Sequence, residues 1–298
     1  MENMTTELGN KVLNTLIETE TNFEVQKINL VTECGKQTGS YGMFRSDNGN
    51  WLGTMKDRYI PYQNFELVTL LHQATESLNL EVTNGGSLKG GSKVYYQIEL
   101  PAQYIGKSDI KRQISALNSH DGSSSICLGS SNTVVICQNT FFKAHKEIDK
   151  VRHTSSAKDR VQRLAMDLKA TIEKDLLLMD NFKRMADVQL KDEMIERLVN
   201  KLFKININKA EDISTRTKNS VQTFANNLET EIKLEGKTLW GLFNAVTRYT
   251  NHESAPKEVV KKTEYLMTGT GYQLSNLAYN DIMQWVEKNS FEYELIGK

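Results

Sequence analysis

The sequence predicts an α+β fold: an antiparallel β-meander with an inserted helix in the first half, then long helices. Three observations carry this. Segments such as Phe23–Thr32 alternate apolar and polar residues at the period of a half-buried strand. Short turn signals such as Asp47-Asn48-Gly49-Asn50 join such segments, and strands joined this closely run antiparallel. From Phe141 to about Leu190 the chain is nearly free of Gly and Pro and carries a 3.6-residue apolar repeat. The expected division is a β-rich core over 1–140 and a helical region over 141–298, packed on the core or continuous with it.

In order, Val12, Leu13 and Leu16 give Asn10–Glu18 helical spacing. Phe23–Thr32 is a strand. Tyr41–Arg45 and Trp51–Met55 form a hairpin around the Asp47–Asn50 turn. Pro61 and the amides Gln63 and Asn64 lead into a helix from Phe65 to about Ser77, with Phe65, Val68 and Leu71 as its apolar stripe. Leu80–Thr83 and Lys93–Leu100 pair across a glycine-rich loop, Asn84–Ser92, and Pro101 ends the second strand. Ser108–Gln113 is expected as a helical turn. Ser125–Leu128 and Thr133–Cys137 are expected as a hairpin around Gly129-Ser130-Ser131-Asn132, whose exit passes to a long helix marked by Leu164, Leu168, Ile172, Leu176 and Met179. Further helices are expected over Met194–Leu202, Ile213–Leu234, Thr238–Tyr249 (capped by Thr238) and Leu274–Val286.

The chain has 298 residues, with 37 basic and 37 acidic side chains. This balance excludes a protein that is basic throughout, but not a local cationic stripe. Only 3 prolines argue against long linkers. No apolar run is long enough to span a membrane, and Met1–Asn10 lacks a signal-peptide core. Cys34, Cys127 and Cys137 have no metal-type spacing and read as reduced thiols, hence a cytoplasmic setting. No cofactor is expected.

Chemistry concentrates in Asn118–Thr140. Asn118, His120, Asp121 and Gly122 form a polar turn in which Gly122 supplies a positive φ, and Gln138, Asn139 and Thr140 form an amide-rich exit. This turn is expected to hydrogen-bond backbone groups and lock the hairpin to that exit. The alternative is a metal site built from His120, Asp121 and His153, with His252 nearby in kind, although no two of these ligands stand at helical i, i+4 spacing. Ser123–Ser125 lacks a nucleophile elbow, which argues against a serine hydrolase. Gly85–Gly91 lacks the Lys-Ser/Thr of a phosphate-binding loop; it is either a plain hairpin tip or a finger that aims Lys89 and Lys93 at phosphates.

The electrostatic signal follows the hairpin. Lys143, Lys146, Lys150, Arg152, Lys158, Arg160 and Arg163 are opposed there only by Glu147, Asp149 and Asp159. Such a run is either a solvated helix face or one wall of a single-strand nucleic-acid groove, where cations track phosphates and aromatics stack bases. Lys56, Arg58, Tyr59, Lys89 and Lys93 extend the candidate surface into the sheet region, with Tyr62, Tyr95 and Tyr96 as further stacking groups.

Several blocks recur together: Lys56-Asp57-Arg58-Tyr59 through Gln63-Asn64, Gly85–Gly91, Asn118–Gly122, Val135–Thr140, Arg152-His153-Thr154, Trp240–Val246 and Asn251-His252. Their order resembles the family known as phage/plasmid-like protein, a domain of unknown function found in bacteriophages, plasmids and bacteria. The resemblance spans roughly Trp51 to His252. That family has Arg-Val-Val-Cys before its Gln-Asn-Thr block; here Thr133 stands near the Arg position, so no role passes from that Arg. The β-then-α outline is also similar to the single-strand annealing proteins of phage recombination. This second likeness implies a single-stranded DNA partner, a ring or filament of identical subunits, and no catalytic turnover. A metal-dependent nuclease using His120, Asp121 and His153, and a non-enzymatic phage interaction or structural protein, are the alternatives.

Overall fold

The computed structural model describes residues 2–134, 139–144, 163, 168–209, 211 and 213–296. It is α+β, with two antiparallel sheets in the first half and helices in the second. The chain divides into two compact units. One comprises 1–100, 113–131 and 144–174; the other comprises 101–112, 132–143 and 175–298.

The first unit opens with α1 (Glu2–Glu18), then β1 (Val25–Val31), β2 (Gln37–Arg45) and β3 (Trp51–Lys56), which form a three-stranded sheet in that order. Next come α2 (Asn64–Glu76) and β4 (Val82–Leu88). The core joins Val12 and Leu16 of α1, Met43 and Leu52 of the small sheet, and Leu67, Val68 and Leu71 of α2 to Tyr96, Ile98 and Ile114. Asn64 and Leu67 turn inward on α2, whereas Phe65, expected on the apolar stripe, is 49% exposed. Asn64 sits inside because its side chain donates to the carbonyls of Thr21 and Phe23, at 3.0 and 3.3 Å. A buried amide is tolerated when its hydrogen bonds are made.

The second sheet is a five-stranded meander: β4, β5 (Lys93–Ile105), β6 (Ser108–Ser119), β7 (Cys127–Val134) and β8 (Asn139–Ala144). Several local expectations fail here. Gly85 and Gly86 are strand residues opposite Tyr96 and Tyr95, and the turn is confined to Lys89–Gly91. β5 runs through Pro101 to Ile105. Its pairing with β4 ends at Ile98, so Pro101 lies where β5 is an edge on that side and a missing N–H is tolerated. Ser108–Gln113 is strand, not helical turn. Gly129–Asn132 lies inside β7, and Phe141–Ala144 belongs to strand β8 where the long helix was expected to begin. Cys137 and Gln138 lie outside the described residues.

Helix α3 (Leu168–Asp187) begins in the first unit and enters the second at Asp175; the second unit packs this part of α3 with α4 (Asp192–Phe203), α5 (Thr215–Glu235), α6 (Leu239–Arg248), α7 (Val259–Met267) and α8 (Thr270–Ile296). Ser214 caps α5 by accepting from the Thr217 N–H, and Thr238 caps α6 by accepting from the Gly241 N–H. Phe224 and Leu228 are the buried apolar residues of α5. The core is aromatic. Phe182 lies 5.0 Å from Trp240, 5.6 Å from Phe243 and 6.1 Å from Phe141, centroid to centroid. A five-residue π-helical turn, Tyr249–Glu253, ends α6 and carries Asn251 and His252.

Candidate functional site

The polar blocks of the sequence gather into two networks, one inside each unit. In the first, the signature turn closes on the loop before α2 and on the β4–β5 turn. Asn118 Nδ2 donates to the Tyr62 carbonyl at 2.9 Å. The His120 N–H donates to the Ser92 carbonyl at 2.7 Å, and His120 Nε2 lies 2.9 Å from Asn64 Oδ1. The Tyr59 hydroxyl donates to the Ser119 carbonyl at 3.0 Å. Asp121 Oδ1 collects the Ser119 hydroxyl, the Ser123 hydroxyl and the Ser123 N–H, at 2.6, 2.6 and 2.9 Å. Gly122 has the expected positive φ, 69°. Gly53 of β3 admits this turn: a Cβ there would stand 2.9 Å from the Asp121 Cα, closer than real contacts allow.

The turn therefore bonds the Tyr62 and Ser92 carbonyls, and among the described residues it does not bond the Gln138–Thr140 exit. Among the described residues of that exit, Asn139 and Thr140 belong to the second network. His120 is fully buried, edge-on to Phe23 at 6.2 Å. Metal ligation through its Nε2 would break the bond to Asn64. His153, the proposed third ligand, lies outside the described residues. Burial pushes the Asp121 carboxyl up. Its hydrogen bonds from Ser119 and Ser123, together with the Lys93 charge, outweigh that and hold it below the ordinary carboxylate range.

This has a measurable consequence. A lowered folded-state pKa stabilises the fold at pH above the unfolded value, and that contribution disappears as pH falls through the folded value. Asp121→Ala is expected to lower stability at neutral pH by about 1–3 kcal/mol. Its deficit relative to the wild type should shrink as pH falls below the carboxylate range. A variant that melts like the wild type but loses activity would make the turn a working site rather than a structural one.

In the second unit, Asn139 Nδ2 donates to the Asn244 carbonyl at 3.3 Å and reaches Glu231 Oε1 at 3.5 Å. Asn139 Oδ1 lies 3.1 Å from His252 Nε2. Asn251 brackets Thr140, accepting from its N–H at 3.2 Å and donating to its carbonyl at 3.0 Å. Thr133, near the family's Arg position, bonds the Thr140 hydroxyl at 2.9 Å. Glu231 is fully buried, and Arg248 donates to its Oε1 at 3.1 Å. Burial raises the Glu231 carboxyl above its ordinary range, opposed by the bonds from Arg248 and Asn139. Beside this network, Arg112 grips Asp175 Oδ2 through Nε and Nη2 at 2.8 and 2.7 Å, while Asn132 Nδ2 donates to Oδ1 at 3.0 Å. Neither Arg112 nor Asp175 is singled out by its sequence neighbours. Arg112 lies in the segment expected as a helical turn.

The candidate nucleic-acid residues fall in different surroundings. Lys56, Arg58 and Lys89 are exposed. Lys93 is buried and acts on Asp121. Tyr59 is tied to Ser119, and Tyr62 and Tyr96 are buried, so these three rings serve the interior. Lys143 lies 4.1 Å from the Tyr279 ring centroid and donates to Asn280 at 3.1 Å. Arg163 is exposed on a helical residue. Arg152, Lys158 and Arg160 lie outside the described residues. Two aromatics not marked in the sequence, exposed Trp51 and half-buried Phe44, stand opposite one another on β3 and β2.

The fold and these networks define an α+β protein marked by dispersed amide, histidine and carboxylate blocks. The chain belongs to the family described as Domain of unknown function (DUF932), whose model matches residues 51–269. No curated protein and no solved structure matches it. Strands β1 and β2 precede the matched residues. Among the described residues, no helix is long and apolar enough to cross a membrane.

Proposed function

We propose that this chain is a phage-type single-stranded DNA-binding and annealing protein, acting in recombination or replication without catalytic turnover. The observation that carries the reading is the run Lys143–Arg163, seven cations against three carboxylates directly after a β-rich segment. Annealing requires capture of the phosphate backbone with base edges left free, and clustered cations do that without reading sequence. The order of sheet before helices, similar in outline to phage annealing proteins, supports the same reading at the level of architecture. Identical subunits would associate edge to edge or through helices into a ring or filament on the strand.

Fluorescence anisotropy of a labelled single strand, followed across ionic strength, tests this directly. Affinity is expected to fall steeply with salt through counterion release. Replacing both Arg152 and Arg160 with Ala should remove about two phosphate contacts and lower the slope of log affinity against log salt by roughly 1.4. An unchanged affinity and slope would reduce the run to a solvated face. Chelator-sensitive cleavage of the same strand would instead favour a phosphodiester enzyme using His120, Asp121 and His153. Electron microscopy with and without a long single strand reads the assembly: isolated particles in both samples would argue against a ring or filament.

A further inference from the structure

We infer that the outer face of the β1–β2–β3 sheet is a base-stacking platform for single-stranded nucleic acid, centred on Trp51 and Phe44 with Lys56 as its phosphate contact. The inference rests on the nucleic-acid reading above and names the surface that would hold the bases.

The register sorts the side chains. Val25, Lys27, Met43 and Gly53 share one face, which packs inward through Val25 and Met43. The other face carries Ile28, Phe44, Trp51, Thr54 and Lys56. Trp51 is 61% exposed and Ile28 46% exposed. Phe44 and Trp51 are direct cross-strand partners, a relation that puts Cβ atoms about 5 Å apart. The half-buried Phe44 ring lies over Gly42, where any Cβ would collide with it. Glycine thus lets one ring lie down along the sheet beside an exposed indole.

The charge on this face is one-signed. Lys56 is exposed and bonds Ser40 Oγ at 3.1 Å. Asp57, the next residue, pairs at 3.7 Å with Lys27 of the opposite face. No carboxylate occupies a register position on the aromatic side. Rings flanked by hydroxyls and a cation fit bases and phosphate, because every base offers a π-face. Size points the same way. Three strands of this length span about 14 Å by 20 Å, roughly 300 Å². A stable protein contact needs about 800 Å² per partner, so the face suits two or three stacked nucleotides better.

Tryptophan emission tests this on the full chain. Of the 3 tryptophans, Trp240 and Trp285 are buried, so Trp51 is the one a stacked base reaches. Titration with an oligo-thymidine strand should quench Trp51 emission. Trp51→Ala should weaken affinity roughly 5- to 100-fold with the salt slope unchanged, because stacking releases no counterions. Trp51→Phe should restore most of that loss, and Lys56→Ala should lower the slope by about 0.7. If the wild type binds but Trp51→Ala and Phe44→Leu bind equally well, the platform is wrong and the proposed function stands. If the wild type binds no single strand at any salt, both readings fall. If Trp51→Ala dissociates an oligomer in sedimentation and leaves DNA affinity intact, the face is a subunit contact and the inference is overturned.

Discussion

Asp175→Ala is expected to destabilise the second unit by about 3–5 kcal/mol, the usual result of stranding one half of a buried ion pair. Arg112 is 4% exposed and Asp175 fully buried. Removing the carboxylate leaves a guanidinium with only the Pro101 carbonyl, 2.9 Å from Nη1, among its described partners, and leaves Asn132 Nδ2 without its acceptor. Trp240 and Trp285 report this unit in a Trp51→Phe background, so urea unfolding followed by their emission isolates the transition. The double replacement Arg112→Met with Asp175→Leu should recover most of the loss, since an apolar pair carries no desolvation penalty. A single variant within about 1 kcal/mol of wild type would show that water reaches the pair.

Phe182→Ala should cost a similar amount, about 3–5 kcal/mol. Phe182 lies in α3 among Trp240, Phe243, Phe141 and Tyr279, with all four ring centroids within 6.2 Å. Truncation removes the transfer energy of the ring and leaves a cavity that surrounding rings fill poorly, because a packed interior relaxes only in part. Phe182→Leu keeps much of the volume and should cost well under half as much. Equal effects for Ala and Leu would mean that ring geometry, not volume, holds the cluster.

Elements with strong local patterns were legible in the sequence. The Asp47–Asn50 hairpin, the helix after Gln63 and the Thr238 cap all follow from residues within a few positions of each other. So did the α+β class, because the change from alternate to helical spacing is a property of long windows. The second sheet was less legible. Gly129-Ser130-Ser131-Asn132 has turn composition, yet it is the middle of β7, between β6 and β8, where pairing on both edges overrides local preference. Within that strand the Asn132 side chain donates to Asp175, 43 positions away.

The candidate sites divide in the same way. The sequence marked Asn118, His120, Asp121 and Asn139 as unusual, since amides, histidine and carboxylate beside glycine stand out in a turn. It did not show that the turn bonds the Tyr62 and Ser92 carbonyls while Asn139 and Thr140 bond α6 and the turn after it. Those bonds join residues up to 113 positions apart. The cross-strand pair of exposed Trp51 and half-buried Phe44 was hidden for the same reason. Alternation along a strand tells which residues share a face, but which face is buried depends on what packs against it. Composition and periodicity alone determined the α+β class, the principal helices and the cationic run. Tertiary structure decided which polar residues became internal partners and which aromatics remained outside, because burial and long-range hydrogen bonding are set by contacts between segments.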